Sequence, residues 1–273
     1  SNGSDEFISQ IIMACCEPAT DHIVIVPPTF GMYKVAARTY GVAVREVPLD
    51  ADFQLDAEAV LEAADDHSKI IFIPTPNNPT ANSFDVQALK KIIQEFPGLV
   101  VVDEAYIEFT DQASFIELLD SHTNLVVCQT FSKAQGMAGA RLGMAFAHPE
   151  LIRYLNRIKA PYNLNSLTLA AALQCLEEQD QVQEQVAFML KERKRLEAAF
   201  TEIVFIKTIF PSDANFVLVR VDDSSLRYQQ LLDSGIVVRN PSNNTACENT
   251  LRISVGLAEE NKALIRALRT LDT

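Results

Sequence analysis

The sequence predicts an α/β protein: a mostly parallel mixed central sheet flanked by helices, then a smaller C-terminal α+β domain. Three observations carry this. Short β-branched apolar runs alternate with amphipathic stretches through most of the 273 residues, as βαβ units require. Those runs are nearly unbroken, as strands buried on both faces of a sheet are. After about Gln174 the texture changes to one long polar helical pattern followed by shorter pieces. The expected division is residues 1–175 and 176–273, in keeping with about 100–200 residues per domain.

In chain order, the strand-like runs are residues 22–27 (HIVIVP), 69–74 (KIIFIP), 99–103 (LVVVD), 124–130 (NLVVCQT) and 142–147 (LGMAFA). Helical patterns occupy residues 5–16, 32–40, 57–64, 86–95 and 149–158. Residues 181–200, rich in Glu, Lys and Arg, read as a solvated connecting helix with Phe188, Leu190, Leu196 and Phe200 on its inner face. Beyond it, strand-like residues 203–209, 215–221, 236–239 and 251–254 interleave with helical 224–233 and 259–271.

Composition excludes several classes. Hydrophobic residues make up 48% and charged residues 22%, enough apolar surface to bury a core, so disorder is not expected. The 36 Asp+Glu against 23 Lys+Arg give a net charge of -13, the wrong sign for nucleic-acid phosphates. No apolar run reaches the ~18–20 residues of a membrane span. The first residues lack the basic segment of a signal peptide. Five cysteines without a C-x-x-C pair suggest neither a disulfide framework nor a zinc site. Cys15, Cys16 and Cys128 read as small core residues, and a reducing cytoplasm is expected. His22, His67, His122 and His148 are scattered, which favours surface or capping roles over a metal site.

The chemistry concentrates in Thr130-Phe131-Ser132-Lys133 and the small residues leading to Arg141, directly after a predicted strand. In open α/β sheets, ligands bind beyond the carboxyl ends of the strands. Hydroxyls and backbone N–H groups there can hold a phosphate, and Arg141 can clamp it. A lysine beside them can form a Schiff base with a carbonyl compound. Read alone, Lys133 is a solvated loop lysine. Its company changes the reading: Asp103 ends an apolar run, Tyr106 follows three residues later, and Asn78-Pro79-Thr80 follows another buried strand.

Asn78-Pro79-Thr80, then Asp103-x-x-Tyr106, then Ser132-Lys133 with Arg141 eight positions on, resembles the fold-type I pyridoxal 5'-phosphate (PLP) aminotransferases. Within them, the stretches at residues 2–6, 27–33, 103–109, 161–163, 214–216 and 251–256 resemble most closely the histidinol-phosphate aminotransferases. The resemblance implies that Lys133 holds PLP as a Schiff base and then shuttles a proton. It places Asp103 on the pyridine nitrogen, Asn78 and Tyr106 on the phenolic oxygen, and Phe30 on the ring face. Gly3, Ser4, Asp5, Thr130, Ser132 and Arg141 would cradle the phosphate. Arg252, Arg239 and Asn215 would hold the substrate; the lesser alternative for the two arginines is a structural salt bridge, and Asn215 reads equally well as a turn amide. Transamination between histidinol phosphate and 2-oxoglutarate, in a cytoplasmic homodimer that binds neither nucleic acid nor membrane, is the implied activity. Within the superfamily the alternatives are an aromatic-amino-acid aminotransferase and a threonine-phosphate decarboxylase. A non-catalytic binding domain of the same fold is more remote.

Two departures stand out. Ala81 occupies the position of the family's glycine after Asn-Pro-Thr; at a positive φ it would be strained by about 1 kcal/mol. The sequence also opens inside the phosphate-binding motif, so the family's N-terminal arm, which packs on the partner subunit, is expected to be absent. A chain without that arm is expected to hold the cofactor weakly.

Overall fold

The β-branched runs of the first half hydrogen-bond into one sheet. The computed structural model describes residues 1–272. The strands are β1 (His22–Ile25), β2 (Ala43–Glu46), β3 (Ser68–Pro74), β4 (Leu99–Asp103), β5 (Leu125–Thr130) and β6 (Gly143–Ala147). Their order is β2-β1-β3-β4-β5-β6. The first five are parallel and β6 runs antiparallel to β5.

Alternate side chains leave opposite faces of a strand, and each face has its own core. On one face Val24, Ile71, Val100 and Leu125 pack with Val60, Leu89 and Ile92 from α3 (Ala57–Glu62) and α4 (Val86–Glu95). On the other, Ile23, Ile70, Phe72 and Val101 pack with Ile11, Tyr33 and Leu155 from α1 (Ser4–Cys15), α2 (Met32–Thr39) and α5 (Pro149–Ile158). Asp56 and Asp85 cap α3 and α4 by accepting from free N–H groups of the first turn.

Helices α6 (Ser166–Glu177) and α7 (Gln179–Phe200) lead to a second, antiparallel sheet ordered β7-β8-β9. Its strands are β7 (Ile206–Ile209), β8 (Phe216–Val221) and β9 (Thr250–Ser254), and α8 (Ser224–Asp233) and α9 (Ala258–Leu271) complete its core.

Several expectations need correction. β2 has no clean apolar run because it is an edge strand with a half-exposed pattern. β6 is likewise half-buried, not covered on both faces. α6 was not expected because its leucines do not mark a buried face: Leu167, Leu173 and Leu176 are exposed. On α7, Phe188 points outward while Val182, Glu192 and Arg193 are buried. The helix packs first against Tyr106 and Phe109 and then, through Leu196 and Phe200, against the second sheet, so its inner face is not one straight stripe. Residues 236–239 make no strand but a single bridge, Arg239 to Arg252, between the positive-φ turn at Gly235 and Pro241. His22 is not on the surface: it is buried in β1 with Nε2 2.5 Å from Ser68 Oγ. His148 does cap a helix, α5.

The chain runs from β1 outward to β2, then crosses back past β1 to β3. The strand order therefore reverses between β1 and β3, which opens a crevice at their carboxyl ends.

Candidate active site

The parallel register aligns Pro74, Asp103 and Cys128 across β3, β4 and β5, so the loops after these strands converge at one edge. Antiparallel β6 starts at that same edge, with Gly143 opposite Thr130. Gly143 has no room for a side chain: a Cβ would lie 2.6 Å from the Ser4 nitrogen. Its N–H and C=O pair with the Ser1 carbonyl (3.0 Å) and the Ser1 amino group (2.9 Å). This close approach puts the start of α1 at the carboxyl edge of the sheet. Gly3, at φ +78°, precedes the helix without a capping side chain, and a Cβ there would strike the Arg141 guanidinium. The first N–H groups of α1 are thus left for an anion.

A cavity of about 160 Å³ lies at this edge. Its lining includes Ser4 and Asp5 of α1, Phe30 after β1, Asn78 after β3, Asp103 and Tyr106 at β4, Thr130 at the end of β5, and Ser132, Lys133 and Arg141 after it. Ten of the sequence-designated positions therefore line one cavity.

At its floor Asp103 is buried. Its Oδ2 accepts from Tyr33 Oη (2.7 Å) and its Oδ1 from the Ala105 N–H (3.1 Å). Burial pushes its pKa up, against the opposing pull of those two bonds and of the Lys133 charge. The Lys133 ammonium sits 5.2 Å from the centroid of the Tyr106 ring. Thr130 Oγ1 accepts from the Ser132 N–H (3.1 Å) and lies 2.9 Å from Ser132 Oγ. Arg141, left-handed at φ 54°, reaches back to Asp5 at 3.4 Å.

A second cavity of about 440 Å³ adjoins the first, and Phe30 and Asn78 line both. Arg239 and Arg252 line it together with Tyr228, Asn240 and Asn244. Arg252 is only partly exposed, its Nε is buried without a partner, and its guanidinium stacks 4.9 Å from the Phe216 centroid. Its Nη1 donates to Asn78 Oδ1 at 2.5 Å. Burial pushes its pKa down. Neither Arg252 nor Arg239 makes an ion pair among the described residues. A half-buried guanidinium with no carboxylate beside it can receive an anion.

Asn215 is not brought to either cavity; its carbonyl accepts from Val255. Gly3 shapes the edge without lining the cavity. Tyr33 and Tyr228 went unassigned in the sequence. Tyr33 had a signal: with Ala36 and Ala37 it forms an i, i+3, i+4 buried face, and a fully buried tyrosine needs a partner for its hydroxyl. Tyr228 had none. Ala81 does take φ 70°.

Residues 1–268 match the family described as aminotransferase class I and II. The chain belongs to this family. Among curated class I and II relatives, it is 49% identical over 270 residues to histidinol-phosphate aminotransferase of Parabacteroides distasonis, covering 99% of this chain and 78% of that protein. It is 45% identical over 271 residues to that of Flavobacterium johnsoniae, with the same coverage. Among solved structures, histidinol-phosphate aminotransferase from Clostridium acetobutylicum superposes with a TM-score of 0.92 at 27% identity, covering 99% of this chain and 82% of that one. The Sinorhizobium meliloti enzyme, solved in complex with pyridoxal-5'-phosphate, gives 0.89 at 25% identity, covering 99% and 76%. In this aminotransferase the carboxyl edge of the sheet thus carries both the cavity and the family motifs.

Proposed function

We propose that this chain is a PLP-dependent aminotransferase that exchanges the amino group of histidinol phosphate with 2-oxoglutarate in histidine biosynthesis. The reading rests above all on Asp103 and Lys133 lining one cavity with the uncapped start of α1. That donor set fits PLP: an anion site, a buried carboxylate and an amine on one cavity.

When bound, PLP supplies an aldehyde for an amine and an electron-poor ring that takes up charge left by a departing proton. In this reading the N–H groups at Ser4 and Asp5, with Thr130, Ser132 and Arg141, hold the phosphate; the Gly3 N–H is already given to the Ser1 carbonyl. Asp103 keeps a proton on the ring nitrogen, and Phe30 covers the ring face. Tyr106 and the Asn78 amide donate to the phenolic oxygen; Asn78 Oδ1 is already occupied by Arg252, while its Nδ2 has no protein acceptor among the described residues. The Lys133 amine, lining the same cavity, would serve as the base that takes a proton from the substrate's α-carbon. Arg252 and Arg239 bind the glutamate carboxylate and the histidinol-phosphate anion.

The same proposal divides the chain into a large domain (1–175) and a small one (176–273). It also includes a homodimer, supported by Tyr162, Leu167, Leu173 and Leu176, all exposed on and before α6. Cytoplasmic residence is supported by five unpaired cysteines. No helix among the described residues is long and apolar enough to cross a membrane.

Borohydride reduction of the PLP-loaded protein followed by peptide mapping tests the assignment: the cofactor should be fixed to Lys133. Labelling of another lysine would overturn it. Release of CO₂ from threonine phosphate, with no keto product from histidinol phosphate, would overturn the substrate.

A further inference from the structure

Behind the contact between Lys133 and Tyr106 lies a pair of side chains that neither the cavity nor the proposed reaction uses. Glu108 belongs to the 3-10 turn Ile107–Phe109 that follows Tyr106. Gln135 belongs to the turn that follows Lys133, closed by the Gly136 N–H on the Lys133 carbonyl (3.0 Å). Gln135 Nε2 donates to Glu108 Oε1 at 3.0 Å. The remaining atom of each planar group, Glu108 Oε2 and Gln135 Oε1, is buried without a partner.

Both orphans are acceptors if Glu108 is ionised. Two buried acceptors on adjoining groups, each without a donor, are costly. One proton removes both deficits, because a carboxylic acid donates from the oxygen that a carboxylate leaves bare. We propose that Glu108 is a neutral acid that donates from Oε2 to Gln135 Oε1, closing a two-bond ring with the existing Nε2–Oε1 bond. This ring ties the Tyr106 turn to the Lys133 turn and positions the lysine.

The surroundings agree. Burial is the main influence on the Glu108 pKa and pushes it up. Glu104 adds to this, while the Gln135 bond and the residue's own N–H oppose it. Glu104 is itself engaged by Ser114, Gln129 and the Phe115 N–H. From α7, Arg193 donates to the Ala214 carbonyl (2.8 Å) and reaches the Phe109 carbonyl (3.5 Å), with Glu197 beside it; it makes no ion pair with Glu108. Lys133 faces Tyr106 and Asp103.

The inference rests on the proposed role of Lys133 only for its functional half, so the test has two arms. In the first, infrared difference spectra of wild type and Glu108→Gln are compared at neutral pH, without substrate. A protonated-carboxyl carbonyl band present in wild type and lost in the variant is expected; no such band means an ionised Glu108 and overturns the proposal whatever the protein catalyses. In the second, kcat is compared across pH. Glu108→Ala, which strips the amide of both partners, should lower kcat roughly ten- to a hundredfold, the scale of a misplaced catalytic group. Glu108→Gln can make both bonds of the ring and should restore kcat and remove any decline on the alkaline limb. A Gln variant as slow as the Ala variant would overturn the positioning role.

Discussion

The Tyr33 hydroxyl donates a 2.7 Å hydrogen bond to Oδ2 of Asp103, joining the first turn of α2 to the end of β4. The Tyr33 ring is held independently, stacked on Phe72 at 4.7 Å and 15°. Tyr33→Phe therefore removes the bond and keeps the packing. A hydrogen bond to a charged group contributes about 1.5–3 kcal/mol. The bond also holds the Asp103 pKa down against burial. Without it the pKa rises further, the carboxylate forms at higher pH, and the acid limb of activity and of PLP binding moves up in pH. PLP titrations across pH measure this; an unmoved acid limb would show that the bond does not set the charge of Asp103.

Asp103→Asn should separate stability from catalysis. The folded pKa of Asp103 is raised, so between the unfolded value and the folded one the native state holds more protons than the unfolded chain. In PLP-free protein, stability then falls as pH rises through that window. Asparagine has no proton to lose, so the variant should lack this slope and match or exceed wild type above the window. Turnover should nevertheless collapse by at least about a hundredfold, because a neutral amide cannot keep the ring nitrogen protonated. Urea melts without cofactor and assays with it check the two halves; equal turnover would refute the role.

The parts of the fold that the sequence disclosed are those where burial writes a pattern. β1, β3, β4 and β5 are buried along their lengths and read as unbroken apolar runs. β2 and α6 escaped because their outer faces are not covered within this chain, so no contrast between inside and outside is written into them. Likewise, Lys133, Asp103 and Asn78 stand next to strand ends, where local spacing carries the signal. Tyr33 acts through a contact 70 residues away in sequence, which spacing does not encode. That Arg252 lacks a carboxylate was also invisible, since charge pairing in three dimensions depends on which β9 residue meets Asn78.

Arg252→Met tests the anion site. Methionine retains most of the side chain's packing on Phe216 and removes a partly buried charge that no carboxylate offsets. Thermal stability should therefore hold or rise. Losing one partner of a buried charge-assisted contact to a ligand costs about 2–5 kcal/mol, so KM for both glutamate and histidinol phosphate should rise at least about thirtyfold. A fall in Tm with unchanged KM would return Arg252 to a purely structural role.

Ala81 takes φ 70°, where an L-residue is disfavoured by about 1–2 kcal/mol. Glycine would relieve that strain, yet the sequence carries alanine, and the packing explains why this is tolerable. The Ala81 methyl is fully buried in a cluster with Tyr106, Phe109 and Phe216. Deleting it forfeits about 0.8 kcal/mol of burial, and glycine's freer unfolded chain costs about 0.4–1 kcal/mol more. Gain and loss nearly cancel, so Ala81→Gly should change stability by less than about 1 kcal/mol. Ala81→Val faces the opposite balance. A β-branched residue at positive φ is a true outlier, and two extra methyl groups in a filled site add about 1–3 kcal/mol. It should lose at least about 3 kcal/mol. Because the Ala81 N–H donates to the Asn77 carbonyl and its C=O accepts from Asp213, this variant should also displace Asn78 and weaken PLP binding. Denaturant melts and PLP titrations of both variants decide the matter: a glycine variant stabilised by 2 kcal/mol or more would mean that the methyl contributes nothing to the cluster.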